Sequence, residues 1–224
     1  MEEERIVEIE TGGILVPVLL GLILAISLVV VKPAMPLAVI LQIPFTSQAP
    51  NGNWDRNEDC EETSITMARA FLDGQVRADM TVTDAQRAIN QLKSWENINI
   101  GYNKNTGAEA TTKMAEGAFG LRVTQIIDYT ENDLKNALAE GHPILLPINA
   151  KLLNNPKYLN GGPLYHMVVL RGYHKGKFIV NDPGTVTGKA NEYTFEVLKN
   201  AAADWNQATK SLVPNSKIAL VLSK

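Results

Sequence analysis

Residues 165–182 read YHMVVLRGYHKGKFIVND. Two apolar, β-rich runs flank His174-Lys175-Gly176, the pattern of an antiparallel hairpin closed by a glycine-containing turn. His166 opens the first strand and Asp182 closes the second. A turn centred on His174 sets the carboxylate directly across from the imidazole. A centre at 175 or 176 moves it two to four residues out of register, roughly 7–13 Å along the strand. The spacing alone leaves that choice open.

Working upstream, periodicity predicts helices before strands. CEETSITMARAFL (60–72) starts behind Asp59, with Glu62 three residues on, the pattern of a capping box. Further helices are expected at 83–95, 108–118 and after Thr130, with strands LRVTQII and PILLPI following the glycine breakers. A loop rich in Asn, Gly and Pro covers 150–164; downstream come a helical stretch at 194–204 and the strand SKIALVLS. Helices early and strands late predict an α+β domain, a helical lobe packed on an antiparallel sheet.

The N-terminus is of another character. Residues 1–11 form an acidic tail, and 12–31, GGILVPVLLGLILAISLVVV, carry no charge. Twenty such residues span about 30 Å as a helix, the thickness of a bilayer core. The acidic leader and the length of the run favour an uncleaved transmembrane anchor over a signal peptide. Arg5 and Lys32 flank it evenly, so the positive-inside rule does not orient it. Residues 32–42 read as a linker and 43–224 as the domain. The chain has 224 residues and a net charge of −3; five Glu and one Arg put −4 in the first 12, leaving +1 for the rest. A domain so close to neutral gives no reason to expect a nucleic-acid partner. No metal-ligand cluster, phosphate loop or cofactor motif is read.

Cys60 is the single cysteine, so an intramolecular disulfide is excluded. It stands in the first turn of a predicted helix, where the helix dipole favours a thiolate, and it follows a polar loop expected to open onto the surface. Free cysteines are also among the most buried residues, so position alone leaves a structural thiol equally open. A nucleophile needs a base and an orienter for that base. Of the three histidines, His142 lies at a turn and His174 in the hairpin loop. That leaves His166 with Asp182, an ordered set of Cys, His and Asp.

The segments IPFTSQAPNGNWDRNEDCEETS (43–64), YHMVVLRGY and IVNDPG resemble the family-39 cysteine peptidases in their stand-alone form. These are related to the exporter domains that cut after double-glycine leaders. The resemblance covers about 43–222 and implies a papain-like fold and a peptide or protein substrate. By position, Cys60 is then the nucleophile, His166 the general base, Asp182 its orienter and Gln48 the oxyanion donor. Two features depart from the pattern: Glu61 and Glu62 replace the small pair after the cysteine, and the Gln48-to-Cys60 gap of 12 is long. Carboxylates beside a thiol oppose its ionisation unless Glu62 is engaged in a cap. The resemblance also implies a bacterial hydrolase with an extracytoplasmic domain. Two other readings stay open: an inactive peptide-binding module, or a cysteine amidase or transglutaminase-like acyltransferase on the same fold.

Overall fold

A computed structural model describes residues 35–54, 58–75 and 77–224. The run 12–31, read above as an anchor, lies outside them; among the described residues no helix is long and apolar enough to cross a membrane.

The first strand, β1 (Val39–Ile40), falls in the stretch read as linker. Three helices follow, α1 (Cys60–Leu72), α2 (Val82–Asn99) and α3 (Ala108–Phe119). Then come β2 (Arg122–Ile127), α4 (Glu131–Ala139), β3 (Ile144–Ile148), two short 3-10 turns, β4 (His166–His174) and β5 (Lys177–Asn181). The chain closes with β6 (Asn191–Tyr193), α5 (Phe195–Ala201), β7 (Ala203–Asn206), β8 (Ser211–Pro214) and β9 (Ile218–Ser223). The expected α+β order holds, with β7 added inside the stretch read as helix 194–204.

Among the described residues the main sheet is β2-β9-β3-β4-β5-β6, with β1 also paired to β4; β7 and β8 form a separate hairpin. Every strand pair is antiparallel. Strands β3 and β4 are apolar on both faces and lie at the centre, where Ile144, Leu145, Leu146, Val168, Val169 and Leu170 are wholly buried. Local chemistry sets the helix ends. Thr130 and Asp133 form a reciprocal capping box at the start of α4, and Gly120 ends α3 in the left-handed conformation. The predicted capping box of α1 does not form: Asp59 makes no side-chain cap, and its Oδ1 instead accepts from Lys93 Nζ at 2.6 Å.

The β4–β5 hairpin turns on Lys175 and Gly176, both at positive φ, so His174 pairs with Lys177. This two-residue turn matches strand twist but centres the hairpin past His174. Continued without interruption, its register would set Asp182 opposite Val169, on the other face of the sheet from His166. A bulge prevents this. Gly172 pairs with Ile179 but Leu170 pairs with Val180, leaving Arg171 as the extra residue. Beyond it Val169 faces Asn181, so Asp182 comes level with Val168 and shares the face of His166.

The bulge is held from outside the hairpin. Arg171 Nε donates to Leu41 O at 3.0 Å, and the Leu41 amide donates to Arg171 O at 2.7 Å. Gly172 admits β1, since a Cβ there would stand 2.1 Å from Val39 O. A Gly172→Ala substitution should therefore displace β1 and destabilise the domain by about 1–3 kcal/mol, the usual cost of overpacking a filled site. Urea denaturation checks it, and an unchanged midpoint would show that β1 is dispensable.

Candidate active site

His166 and Asp182 are both essentially excluded from solvent. His166 Nε2 lies 2.8 Å from Asp182 Oδ1. A carboxylate only accepts, so Nε2 carries the proton and Nδ1 is left as the basic nitrogen of the ring. The two residues sit diagonally across the hairpin, and the length of the imidazole closes the remaining distance. Asp182 Oδ1 also accepts from the Gly184 amide at 2.9 Å, and Oδ2 accepts from the Tyr158 hydroxyl at 2.5 Å. Burial works to raise the Asp182 pKa, but the His166 charge and these three hydrogen bonds outweigh it and hold the carboxyl below its ordinary range.

Helix α1 brings the thiol to the start of the same strand. β5 ends opposite Val169, so the backbone at Met167 lies beyond its pairing. The Met167 carbonyl accepts from Ser64 Oγ at 3.2 Å, and its amide faces the Cys60 sulfur. Ser64 is one helical turn beyond Cys60. This pins the first turn of α1 to the residue following His166. Gln48 is buried nearby in sequence-distant company: its backbone amide donates to Pro183 O at 2.9 Å, next to Asp182. Asn181 reinforces that junction by donating to Ile43 O at 3.2 Å. All four residues singled out in the sequence thus lie on elements tied to one end of β4.

A family model described as "Peptidase_C39 like family" matches residues 40–213. The chain belongs to this family. Among solved structures, a putative C39-like peptidase from Bacillus anthracis is similar over 84% of this chain and 98% of its own, at 18% identity and a TM-score of 0.52. That likeness shows a shared fold. A double glycine motif protease from an AMS/PCAT transporter, in complex with its leader peptide, is similar over 82% of this chain and 93% of its own, at 16% identity and a TM-score of 0.45. No curated protein matches the chain.

Two expectations for the thiol are corrected. Cys60 does not open onto the surface: it is 5% exposed, because α1 is enclosed by β4 and α2 along almost its whole length. Nor is the thiol activated by the helix end. Burial pushes its pKa well up, and Glu61 adds to this, with Glu61 Oε2 accepting from Sγ at 2.9 Å. Glu62 does not turn back to cap α1 either. It is buried against the Glu96 carboxyl of α2, and no amide, hydroxyl or ammonium group of the described residues donates to its oxygens.

Nothing in the sequence pattern singles out Tyr158. It sits in the 150–164 loop, with its ring edge-on to His166 at 6.1 Å between centroids and its hydroxyl on Asp182. A tyrosine in a loop of Asn and Gly has no periodic signal, and only the folded loop brings it back over the pair. The neighbouring cleft of about 580 Å³ is lined by Trp54, Tyr158, Leu159, Gly184 and Val186. Gly184 lets the chain pass over the imidazole, since a Cβ there would stand 2.9 Å from His166 Nε2. His174 is exposed in the hairpin turn, at the opposite end of β4.

The buried carboxyls make stability depend on pH. Burial lifts Glu61 to about 8 and Glu96 to about 7, and pushes Glu62 well above its usual range. Each then binds its proton more tightly folded than unfolded, so stability falls as pH rises from the unfolded value of about 4.3 until the folded groups ionise. Asp182 is lowered and works oppositely, contributing stability above about pH 4 that is lost in acid. The melting temperature should peak at about pH 4 and fall continuously toward about pH 8.5. Glu96→Gln should flatten that decline. A melting temperature that rises over this interval in calorimetry would refute it.

Proposed function

We propose that the domain is a cysteine peptidase in which Cys60 is the nucleophile, His166 the general base, Asp182 its orienter and Gln48 a donor to the oxyanion. The observation that carries this reading is the His166–Asp182 contact at 2.8 Å, set at the strand end to which the first turn of α1 is pinned. His166 Nδ1 takes the thiol proton, and sulfur attacks the scissile carbonyl. The same nitrogen returns the proton to the leaving amine, and water then releases the acyl group by the reverse sequence. Asp182 keeps Nε2 protonated and stabilises the imidazolium formed in between. The Gln48 amide and the Cys60 backbone N–H face the developing oxyanion, each donor lowering the barrier by about 3 kcal/mol.

The substrate in this reading is an extended peptide. The cleft beside Tyr158 supports it, with Leu159 89% exposed and Val186 65% exposed offering an apolar rim for a side chain. Residues 12–31 anchor the chain in a bacterial membrane with the domain outside the cytoplasm; the uncharged run of 20 residues supports the anchor. A protease added to intact cells should then remove the domain, and a fully protected domain would reverse the orientation.

One observation favours a second reading, an inert module that binds peptides in the same cleft: the thiol is buried and hydrogen-bonded to Glu61. Kinetics on a fluorogenic peptide library separate the two. Cys60→Ala should abolish turnover and labelling by a thiol-directed probe. Tyr158→Phe should lower kcat about tenfold with KM little changed, the consequence of losing one hydrogen bond to a charged partner. An unaltered chain that binds peptides without ever cleaving them would establish the inert module instead.

A further inference from the structure

Glu61 is the residue immediately following the proposed nucleophile, its side chain is fully buried, and its Oε2 is 2.9 Å from Cys60 Sγ. The surroundings favour its neutral form. On its own helix Glu62 lies beside it, and from α2 Glu96 faces both, with the Glu62 and Glu96 carboxyls in hydrogen-bonding reach of each other. Two carboxyls make that contact favourably only with a proton between them. Lys93 of α2 is engaged by Asp59 at 2.6 Å. From the loop before α3, Thr106 supplies an amide toward Glu61, and the phenol of Tyr102 lies near. From the β4 side, Tyr165 is buried and donates to Thr106 O at 2.9 Å, while the Tyr158 phenol, whose ring lies edge-on to His166, sits near the thiol.

The geometry points to Glu61 as a positioning residue for Cys60 that acts in its protonated form. Its carboxyl O–H donates a hydrogen bond to the sulfur once His166 Nδ1 has taken the thiol proton. On ionising, Glu61 can only accept, so the same contact reverses: the thiol keeps its proton, donates S–H to the carboxylate and is unreactive. One proton moves from sulfur to nitrogen in the active state, and the Glu61 proton stays on its oxygen throughout. The contact that suppresses the thiol at alkaline pH therefore supports the thiolate at neutral pH. Burial pushes the Glu61 carboxyl up to about 8, which places the reversal just above neutrality.

This inference rests on Cys60 being the reacting thiol. It is tested by the rate of alkylation of the full chain with iodoacetamide, a neutral probe, from about pH 6 to 10. Cys60 is the sole cysteine, so labelling reports on it alone. A free thiol below its pKa reacts roughly tenfold faster per pH unit. The unaltered chain should instead level off or slow between about pH 7 and 9. Glu61→Gln, whose amide donates to sulfur at every pH, should match it within about threefold near pH 6.5 and exceed it at least tenfold at pH 9. Superimposable profiles, or a uniform factor at all pH, would overturn the proposal. If Glu61→Gln does not fold, infrared difference spectra of the unaltered chain decide: a protonated-carboxyl band at pH 7 must shift when Cys60 is alkylated, and no shift overturns it. Alkylation as expected without peptide cleavage would sink the peptidase reading alone.

Discussion

The extra residue at Arg171 governs the architecture around the site. Side chains alternate faces along a strand, so a shift of one residue in the β4–β5 pairing exchanges the two faces of every residue beyond it. The Lys175-Gly176 turn imposes a register that, uninterrupted, separates His166 from Asp182 by the thickness of the sheet. The bulge restores the shared face, and the hydrogen bonds between Arg171 and Leu41 hold the bulge in place. β1, a two-residue strand paired to the far end of β4, therefore bears on the geometry of an imidazole at the strand's start.

With the pair on one face, the remaining parts arrive through backbone that β5 leaves free. The end of β5 at Asn181 exposes the Met167 carbonyl and amide, and α1 occupies them through Ser64 and Cys60. The following turn meets Gln48 through Pro183, and the 150–164 loop folds Tyr158 onto Asp182. Asp182 thus gathers three donors in a buried setting. Its charge is held by the very groups that orient the imidazole, so it is not free to take up a proton.

The same burial shapes the thiol side differently. Glu61, Glu62 and Glu96 sit in a low-dielectric interior with few donors, where a proton is the cheapest neutralising partner. Carboxyls raised in this way bind their protons more tightly in the folded chain, which favours the folded state in mild acid over alkaline pH. The cluster also gives the thiol a neighbour whose hydrogen-bonding direction follows its own protonation.

Periodicity, breakers and composition determined the order of helices and strands, the hairpin and the candidates Cys60, His166 and Asp182, because those signals are local in the chain; Gln48 entered only through the family resemblance. The capping reading of Asp59 and Glu62 failed because a capping pattern says nothing of Lys93 or Glu96, which only α2 brings near. The burial of Cys60 was illegible for a like reason: a polar loop before a helix reads as surface until the sheet is laid against it. Register, too, was left open by spacing, since one bulged residue is invisible in a run of apolar β formers. The sequence by itself determined which chemical groups this protein owns and the strand and helix ends that carry them. Only the tertiary structure decided that His166 and Asp182 share a face, that Tyr158 closes over them and that Glu61 meets the thiol, because each depends on contacts between residues distant in the chain or on the side-chain direction that packing imposes.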